Sequence, residues 1–157
     1  MPRDQRAEKK NIVIGSDHGG FPLKEKLKAF LLKKGYRAKD LGCFNQEPCD
    51  YPKYAYAVAH AVSLGNFSKG ILICKSGIGN SIVANKLKNV RAALCYNLKA
   101  AKLSRKHNDA NILVLGALFV NETLAKRMML AWLHTEFEGG RHLRRVKQIH
   151  TIEDKPR

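Results

Sequence analysis

The sequence predicts an α/β fold, a three-layer αβα Rossmann-like arrangement around a roughly five-stranded parallel sheet. Two observations predict it. Short apolar runs rich in β-branched residues, at Ile12–Ile14, Ile71–Ile73 and Asn111–Leu115, recur between segments with helical periodicity. The first two runs end in polar, glycine-broken loops that lead into helices, which is the punctuation of strand–loop–helix units joining parallel strands. With 157 residues and 45% apolar composition, the chain is long enough for one domain with a real core and short for two. The expected organisation is a charged N-terminal tail over residues 1–10, a single domain over 11–152 and a short tail over 153–157.

The elements follow in order. A strand from Asn11 runs into Gly15-Ser16-Asp17-His18-Gly19-Gly20, after which Leu23, Leu27, Phe30 and Leu31 form a core-facing helical stripe that stops at Gly35. A strand around Tyr36–Lys39 leads into Leu41–Pro52, whose glycine, proline, asparagine and aspartate content marks a loop. Ala55, Val58, Ala59 and Val62 stripe a second helix ended by Gly65. Beyond the central strand, Ser81–Lys86 opens a third helix, followed by a strand at Arg91–Leu94, a helix over Leu98–Lys106 and the strand at Asn111–Leu115. Leu124, Met128, Ala131 and Trp132 mark a further helix, and Arg141–His150 the last. In such sheets ligands bind beyond the carboxyl ends of the strands, at a switch point. Asp17-His18 and Cys74–Asn80 both lie at such ends.

Gly70–Lys86, GILICKSGIGNSIVANK, carries the most chemistry. A strand, a small-residue loop and a helix N-terminus present unpaired backbone N–H groups that favour anions or developing oxyanions. A cysteine there feels the positive end of the helix, which lowers a thiol pKa from about 8.5 toward neutrality and frees the thiolate as base or nucleophile. The stretch alone leaves a second reading open, in which Cys74 is a buried packing residue.

Composition excludes several classes. The four cysteines (Cys43, Cys49, Cys74, Cys95) form no CxxC pair and no signal peptide precedes them, so reduced thiols and a cytoplasmic protein are expected. No apolar run approaches the roughly 18 residues of a membrane span. The 29 Lys and Arg against 13 Asp and Glu give a net charge of +16, but no exposed aromatics interleave with them and no nucleic-acid module is visible. Lys24, Lys26, Lys28, Lys33 and Lys34 are expected on a solvated helix face, and the surplus charge is read as a surface that steers anions. A cysteine phosphatase loop needs an arginine six positions after its cysteine, where this chain has Asn80. Neither GxxxxGK[ST] nor GxGxxG occurs, so no nucleotide cofactor is called for. His134, Glu136, Glu138 and His142 match no metal-ligand spacing, and no metal is expected.

The runs GSDHGGFPLK (Gly15–Lys24), DYPKYA (Asp50–Ala55), ILICKSGIGNSIVANK (Ile71–Lys86), RAALC (Arg91–Cys95), SRKHNDANILVLG (Ser104–Gly116) and FEGGRHLRRV (Phe137–Val146) resemble the ribose-5-phosphate isomerase B family, which also includes galactose-6-phosphate and allose-6-phosphate isomerases. The resemblance spans about residues 11–152. It implies an aldose–ketose isomerase of sugar phosphates without a cofactor. Cys74 would be the base that moves a proton between C1 and C2 of the open-chain sugar, with Ser76 assisting. Gly77, Ile78, Gly79 and Asn80 would hold the enediolate oxygens through backbone N–H groups. His107 would open the furanose ring and Asn108 hold a sugar oxygen. Asp17, His18 and Tyr51 would line the sugar and phosphate site, and Arg141 and Arg145, spaced i, i+4, would bind the phosphate from one helix face. The family is dimeric, so a homodimer or tetramer with shared sites is implied, His107 and Arg141 serving the neighbour's Cys74.

Read without the resemblance, His107 is a cation capping a helix end, Tyr51 a packed loop tyrosine, and Arg141, Arg144 and Arg145 a solvated basic face. Cys43, Cys49 and Cys95 read as packing or loop residues. Two positions depart from the family pattern: Lys75 replaces a glycine beside the cysteine and adds a cation there, and Leu118 replaces a phosphate-binding arginine. Ribose 5-phosphate is the expected substrate, because the loop and HND segments look closest to that branch. A six-carbon sugar phosphate and a catalytically silent binder are the alternatives.

Overall fold

Because βαβ crossovers cover both faces of a parallel sheet, its inner strands read as continuous apolar runs. The computed structural model, which describes residues 10–156, is built this way. Strands β1 (Asn11–Ser16), β2 (Arg37–Asp40), β3 (Gly70–Cys74), β4 (Ala92–Leu94) and β5 (Ile112–Gly116) form a parallel sheet in the order β2-β1-β3-β5-β4. Helices α1 (Phe21–Lys33), α2 (Tyr51–Ser63), α3 (Ile78–Ala84), α4 (Leu98–Asn108) and α5 (Glu122–His134) follow the strands in turn, and α6 (Arg141–Glu153) closes the chain.

Successive strand residues point to opposite faces. Ile12, Ile14, Ile71, Ile73, Leu113 and Leu115 therefore pack beneath α1, α4 and α5, against Leu27, Leu31, Ala101, Met128 and Trp132. Val13, Leu72, Ile112 and Val114 face α2 and α3, against Ala55, Val58, Ala59 and Ala84. Each fully buried Leu or Ile contributes about 1.5–3 kcal/mol, so the two layers are held by the apolar periodicity already visible in the chain.

The αβα expectation is borne out, with local differences. Helix α2 starts at Tyr51 rather than after Pro52, since proline is tolerated in a helix's first turn. Helix α3 starts at Ile78, ahead of the expected Ser81, because Gly77 at φ 80° supplies the turn. Helix α6 reaches Glu153, inside the expected C-terminal tail. The expected N-terminal tail lies, apart from Lys10, outside the described residues.

Lys24 corrects the reading of a solvated face. It is 0% exposed and donates to both carboxylate oxygens of Asp40 (2.7 and 2.8 Å) and to the Cys43 carbonyl. Lys28, half-buried, joins the same carboxylate at 2.6 Å. Lys24, Leu27, Lys28 and Leu31 stand at i, i+3, i+4 and i+7, so the apolar stripe and this ion-pair cluster share one side of α1. Burial raises the Asp40 carboxyl, but the bonds from Lys24, Lys28 and the Gly42 N–H outweigh it and hold the group below the ordinary carboxylate range.

Candidate active site

The chain runs outward from β1 to β2 and then returns across β1 to β3, so the crevice above the β1 and β3 ends is the sheet's switch point. Cys74 is the last residue of β3 and only 5% exposed. The Gly77 N–H donates to its Sγ at 3.0 Å. Glycine is required at 77 twice over, by its positive φ and because an added Cβ would fall 2.4 Å from Leu94 Cδ1. The expected lowering of the thiol pKa does not occur within the chain. Burial pushes the Cys74 thiol up, Asp17 adds to this, and the backbone N–H groups of Gly77, Asn80 and Ser76 offset only part of it. The N–H groups at the start of α3, which carry the positive end of its dipole, are among those that bond the sulfur, and desolvation outweighs them.

Around this sulfur the loop uses some of its own donors. Ile78 N–H donates to Ser76 Oγ at 3.1 Å, which leaves the Ser76 hydroxyl hydrogen free to turn into the crevice. The Gly77 and Ile78 N–H groups, expected to hold substrate oxygens, are thus engaged by Cys74 and Ser76. The unpaired group is instead the Asn80 side chain: it is 1% exposed, and neither its Oδ1 nor its Nδ2 has a partner among the described residues. A buried primary amide left this way costs free energy until a ligand or water meets it. Tyr51 lies across Gly79, where an added Cβ would come within 2.5 Å of the phenol ring. Asp17, 7% exposed, accepts from the Gly20 N–H at 2.9 Å. His18 Nδ1 accepts from the Cys49 N–H at 3.2 Å, so its proton sits on Nε2. Cys74, Ser76, Gly77, Ile78, Gly79, Asn80, Asp17, His18 and Tyr51 are therefore brought to one end of the sheet.

The two departures also lie at this end. Lys75 is exposed, and its stem runs along Gly19, where a Cβ would meet Lys75 Cγ at 2.5 Å. Leu118 is 71% exposed, its N–H bound to the Lys75 carbonyl at 2.9 Å.

His107, Asn108, Arg141 and Arg145 are elsewhere. Helix α4 ends just before β5 begins, and α6 packs on α4, so these residues cluster at the amino-terminal edge of the sheet, about 17 Å of strand away from the Cys74 end. Arg141 and Arg145 are exposed on the first turns of α6. Between them His142 turns inward, 5% exposed, and stacks on His107 with ring centroids 4.2 Å apart and planes within 10°. Burial lowers the His142 pKa, and His107, Arg141 and Arg145 lower it further against an opposing pull from Glu138. Glu138 joins this pair, with ligand-capable atoms of all three within 4.8 Å. Parallel stacked rings hold their in-plane lone pairs in separate parallel planes, so the two imidazoles as arranged do not both point at one ion.

Sequence reasoning missed four contributors. Tyr96 donates to the Ser76 carbonyl at 3.1 Å and packs on Phe119, bracing the cysteine loop from β4. Cys49 sets the His18 tautomer, Lys24 anchors the loop that carries Cys49, and His142 backs His107. Only Lys24 left a signal, its place on the core-facing side of α1. Cys95 behaves as the expected packing residue, its thiol pushed up by burial to about 11.

The family described as Ribose/Galactose Isomerase matches residues 12–149. Ribose-5-phosphate isomerase B of Escherichia coli K12 is 46% identical over 146 residues, covering 93% of this chain and 98% of the relative. The structure of ribose-5-phosphate isomerase B from Clostridium thermocellum superposes with a TM-score of 0.89 at 49% identity, covering 91% of this chain and 97% of that one. That of the Mycoplasma genitalium ribose-5-phosphate isomerase B with bound ribulose-5-phosphate gives 0.89 at 39% identity, covering 93% and 97%.

Proposed function

Because this chain belongs to the ribose/galactose isomerase family, we propose that it interconverts ribose 5-phosphate and ribulose 5-phosphate through an enediolate, with Cys74 as the base. The observation that carries the reading is the Cys74 sulfur itself, held at the switch point 3.0 Å from the Gly77 N–H, under a loop and helix start that also carry the unpaired Asn80 side chain. The thiolate takes the proton from C2 of the open-chain aldose. The C–H electron pair becomes the C1=C2 bond, and negative charge moves onto O1. The thiol returns the proton to C1, while a proton passes from O2 to O1, leaving the ketose. The Ser76 hydroxyl assists at these oxygens, and the buried Asn80 amide stabilises the developing charge where water is scarce. Asp17, His18 and Tyr51 line the sugar, with His18 Nε2–H as a donor.

Ring opening falls to His107, a sugar oxygen to Asn108 and the phosphate to Arg141 and Arg145, all of a second copy. Their separation from Cys74 by the length of the sheet within one chain supports a homodimer with shared sites. The cations that a second copy brings to the crevice would also counter the upward push of burial on the Cys74 thiol.

The test is turnover of ribose 5-phosphate by the purified protein, run beside allose 6-phosphate and galactose 6-phosphate. Ribose 5-phosphate is expected to be converted, and Cys74→Ala to lose about two to four orders of magnitude in rate. Mixing Cys74→Ala with His107→Asn under subunit exchange is expected to restore activity, since one site of the mixed dimer then holds both intact residues. No turnover of any of the three sugars refutes the isomerase, conversion only of a six-carbon sugar reassigns the substrate, and an inactive mixture refutes the shared site.

A further inference from the structure

The loop between β2 and α2 carries two free cysteines, Cys43 and Cys49, and both are tied to the end of β1. The Cys43 N–H donates to the Ser16 carbonyl at 2.6 Å, and its Sγ lies 4.0 Å from the Ser16 hydroxyl. The Cys49 N–H donates to His18 Nδ1, and its Sγ lies 3.7 Å from the same nitrogen. Ser16 and His18 are next-but-one neighbours, so the groups that anchor the two cysteines lie within about 7 Å of each other along the chain. Tyr54 closes the group: its ring lies against Gly42, where a Cβ would meet it at 2.8 Å, and burial raises its phenol, with the nearby Cys49 and Cys43 adding to the rise. Burial pushes the Cys43 thiol up and the neighbouring Cys49 pushes it further, as two adjacent thiols should. Cys43 is buried, Cys49 is half-buried, and the Phe44–Pro48 link between them is exposed. A half-buried thiol open to oxidant beside a buried one that resolves it is the arrangement of a redox-sensitive pair.

We propose that Cys43 and Cys49 form an oxidant-sensitive dithiol whose closure to a disulfide releases the hydrogen bond that orients His18 in the substrate crevice. The second half rests on the isomerase reading of that crevice. With a peroxide as oxidant, the Cys49 thiolate attacks one peroxide oxygen, an S–O bond forms, the O–O bond breaks and hydroxide leaves. The Cys43 thiolate then attacks the sulfenic sulfur, the S–S bond forms and a second hydroxide leaves. The protons of the two thiols turn both hydroxides into water, so two thiols are oxidised and one peroxide is reduced. Bringing the sulfurs to bonding distance draws Cys49 toward Cys43 and off His18 Nδ1. Free of that hydrogen bond, the ring loses its set tautomer and orientation, and sugar-phosphate binding weakens.

The whole protein is treated with hydrogen peroxide, unfolded and alkylated, and the tryptic peptide Asp40–Lys53, which holds both cysteines, is weighed. The expected peptide is two hydrogens lighter, unalkylated and restored by dithiothreitol, while KM for ribose 5-phosphate rises several-fold and recovers on reduction. Oxidation of Cys74 is distinguishable, because it lowers kcat alike in the wild type and in Cys43→Ala, whereas the KM change is absent from Cys43→Ala. A peptide in which both cysteines remain alkylatable overturns the dithiol, and a disulfide without a KM change overturns its coupling to His18. In a protein that never turns over ribose 5-phosphate, the isomerase reading and the coupling to the crevice fail together, and the dithiol is judged by the peptide mass.

Discussion

Replacing Lys24 by methionine keeps much of the side-chain volume and removes a buried cation whose side chain is 0% exposed, opposite an Asp40 that is 11% exposed. Removing one partner of a buried pair costs about 3–5 kcal/mol, chiefly through the charge left behind. Here Asp40 keeps Lys28 at 2.6 Å and the Gly42 N–H at 2.9 Å, so the loss belongs at the low end, about 3 kcal/mol, including the orphaned Cys43 carbonyl. For a domain of this size each kcal/mol moves Tm by about 2–4 °C, so Lys24→Met should melt about 6–12 °C lower at neutral pH. The effect has a sign in pH. The Asp40 carboxyl is lowered in the folded state, so its pairing contributes stability above the ordinary carboxylate value of about 3.9 and loses it as pH falls through the folded value. Circular-dichroism melts of wild type and Lys24→Met should therefore converge as pH falls through the folded value, which lies below the ordinary carboxylate range, where a protonated Asp40 no longer balances Lys24. A Tm difference under about 2 °C at pH 7, or one that does not change with pH, would refute the argument.

Two further outcomes follow from the site. Since burial holds the Cys74 thiol high within one chain, its alkylation by iodoacetamide should be slow at neutral pH and titrate above the ordinary cysteine value of about 8.5 once the second copy's cations are removed, as in Arg141→Ala/Arg145→Ala; a midpoint below that value in this variant would show that burial does not govern the thiol. Gly79→Ala should raise KM by displacing the Tyr51 ring that an added Cβ would meet at 2.5 Å, and pairing it with Tyr51→Ala should add little to the effect of Tyr51→Ala alone; full additivity in a double-mutant cycle would show that the two do not meet.

The cysteine loop shows where pattern reading runs out. That Cys74 ends a buried strand ahead of a helix follows from local spacing, and so does the anion-favouring character of the loop. The direction of its pKa shift does not, because desolvation depends on how segments distant in sequence bury the sulfur, and Asp17, which adds to the rise, comes from beyond β1. Lys24 is a similar case: its helical spacing admitted either a solvated or an inward position, and Asp40, brought in by the β1–β2 pairing, decided it.

By itself the sequence determined the α/β class, the order of the elements, and the DHGG, cysteine-loop, HND and GGRH residues that carry the family resemblance. These are written in side-chain periodicity and in glycine placement, which act over a few residues. Only the tertiary structure decided the strand order and hence the β1/β3 crevice, the burial of Lys24, the meeting of Cys43 and Cys49 beside His18, and the stacking of His142 on His107. It also decided that Cys74 and His107 stand at opposite edges of one sheet. The reason is that each of these depends on contacts between segments far apart in the chain, whose pairing is selected by how all the apolar faces are covered at once, and no local pattern records that choice.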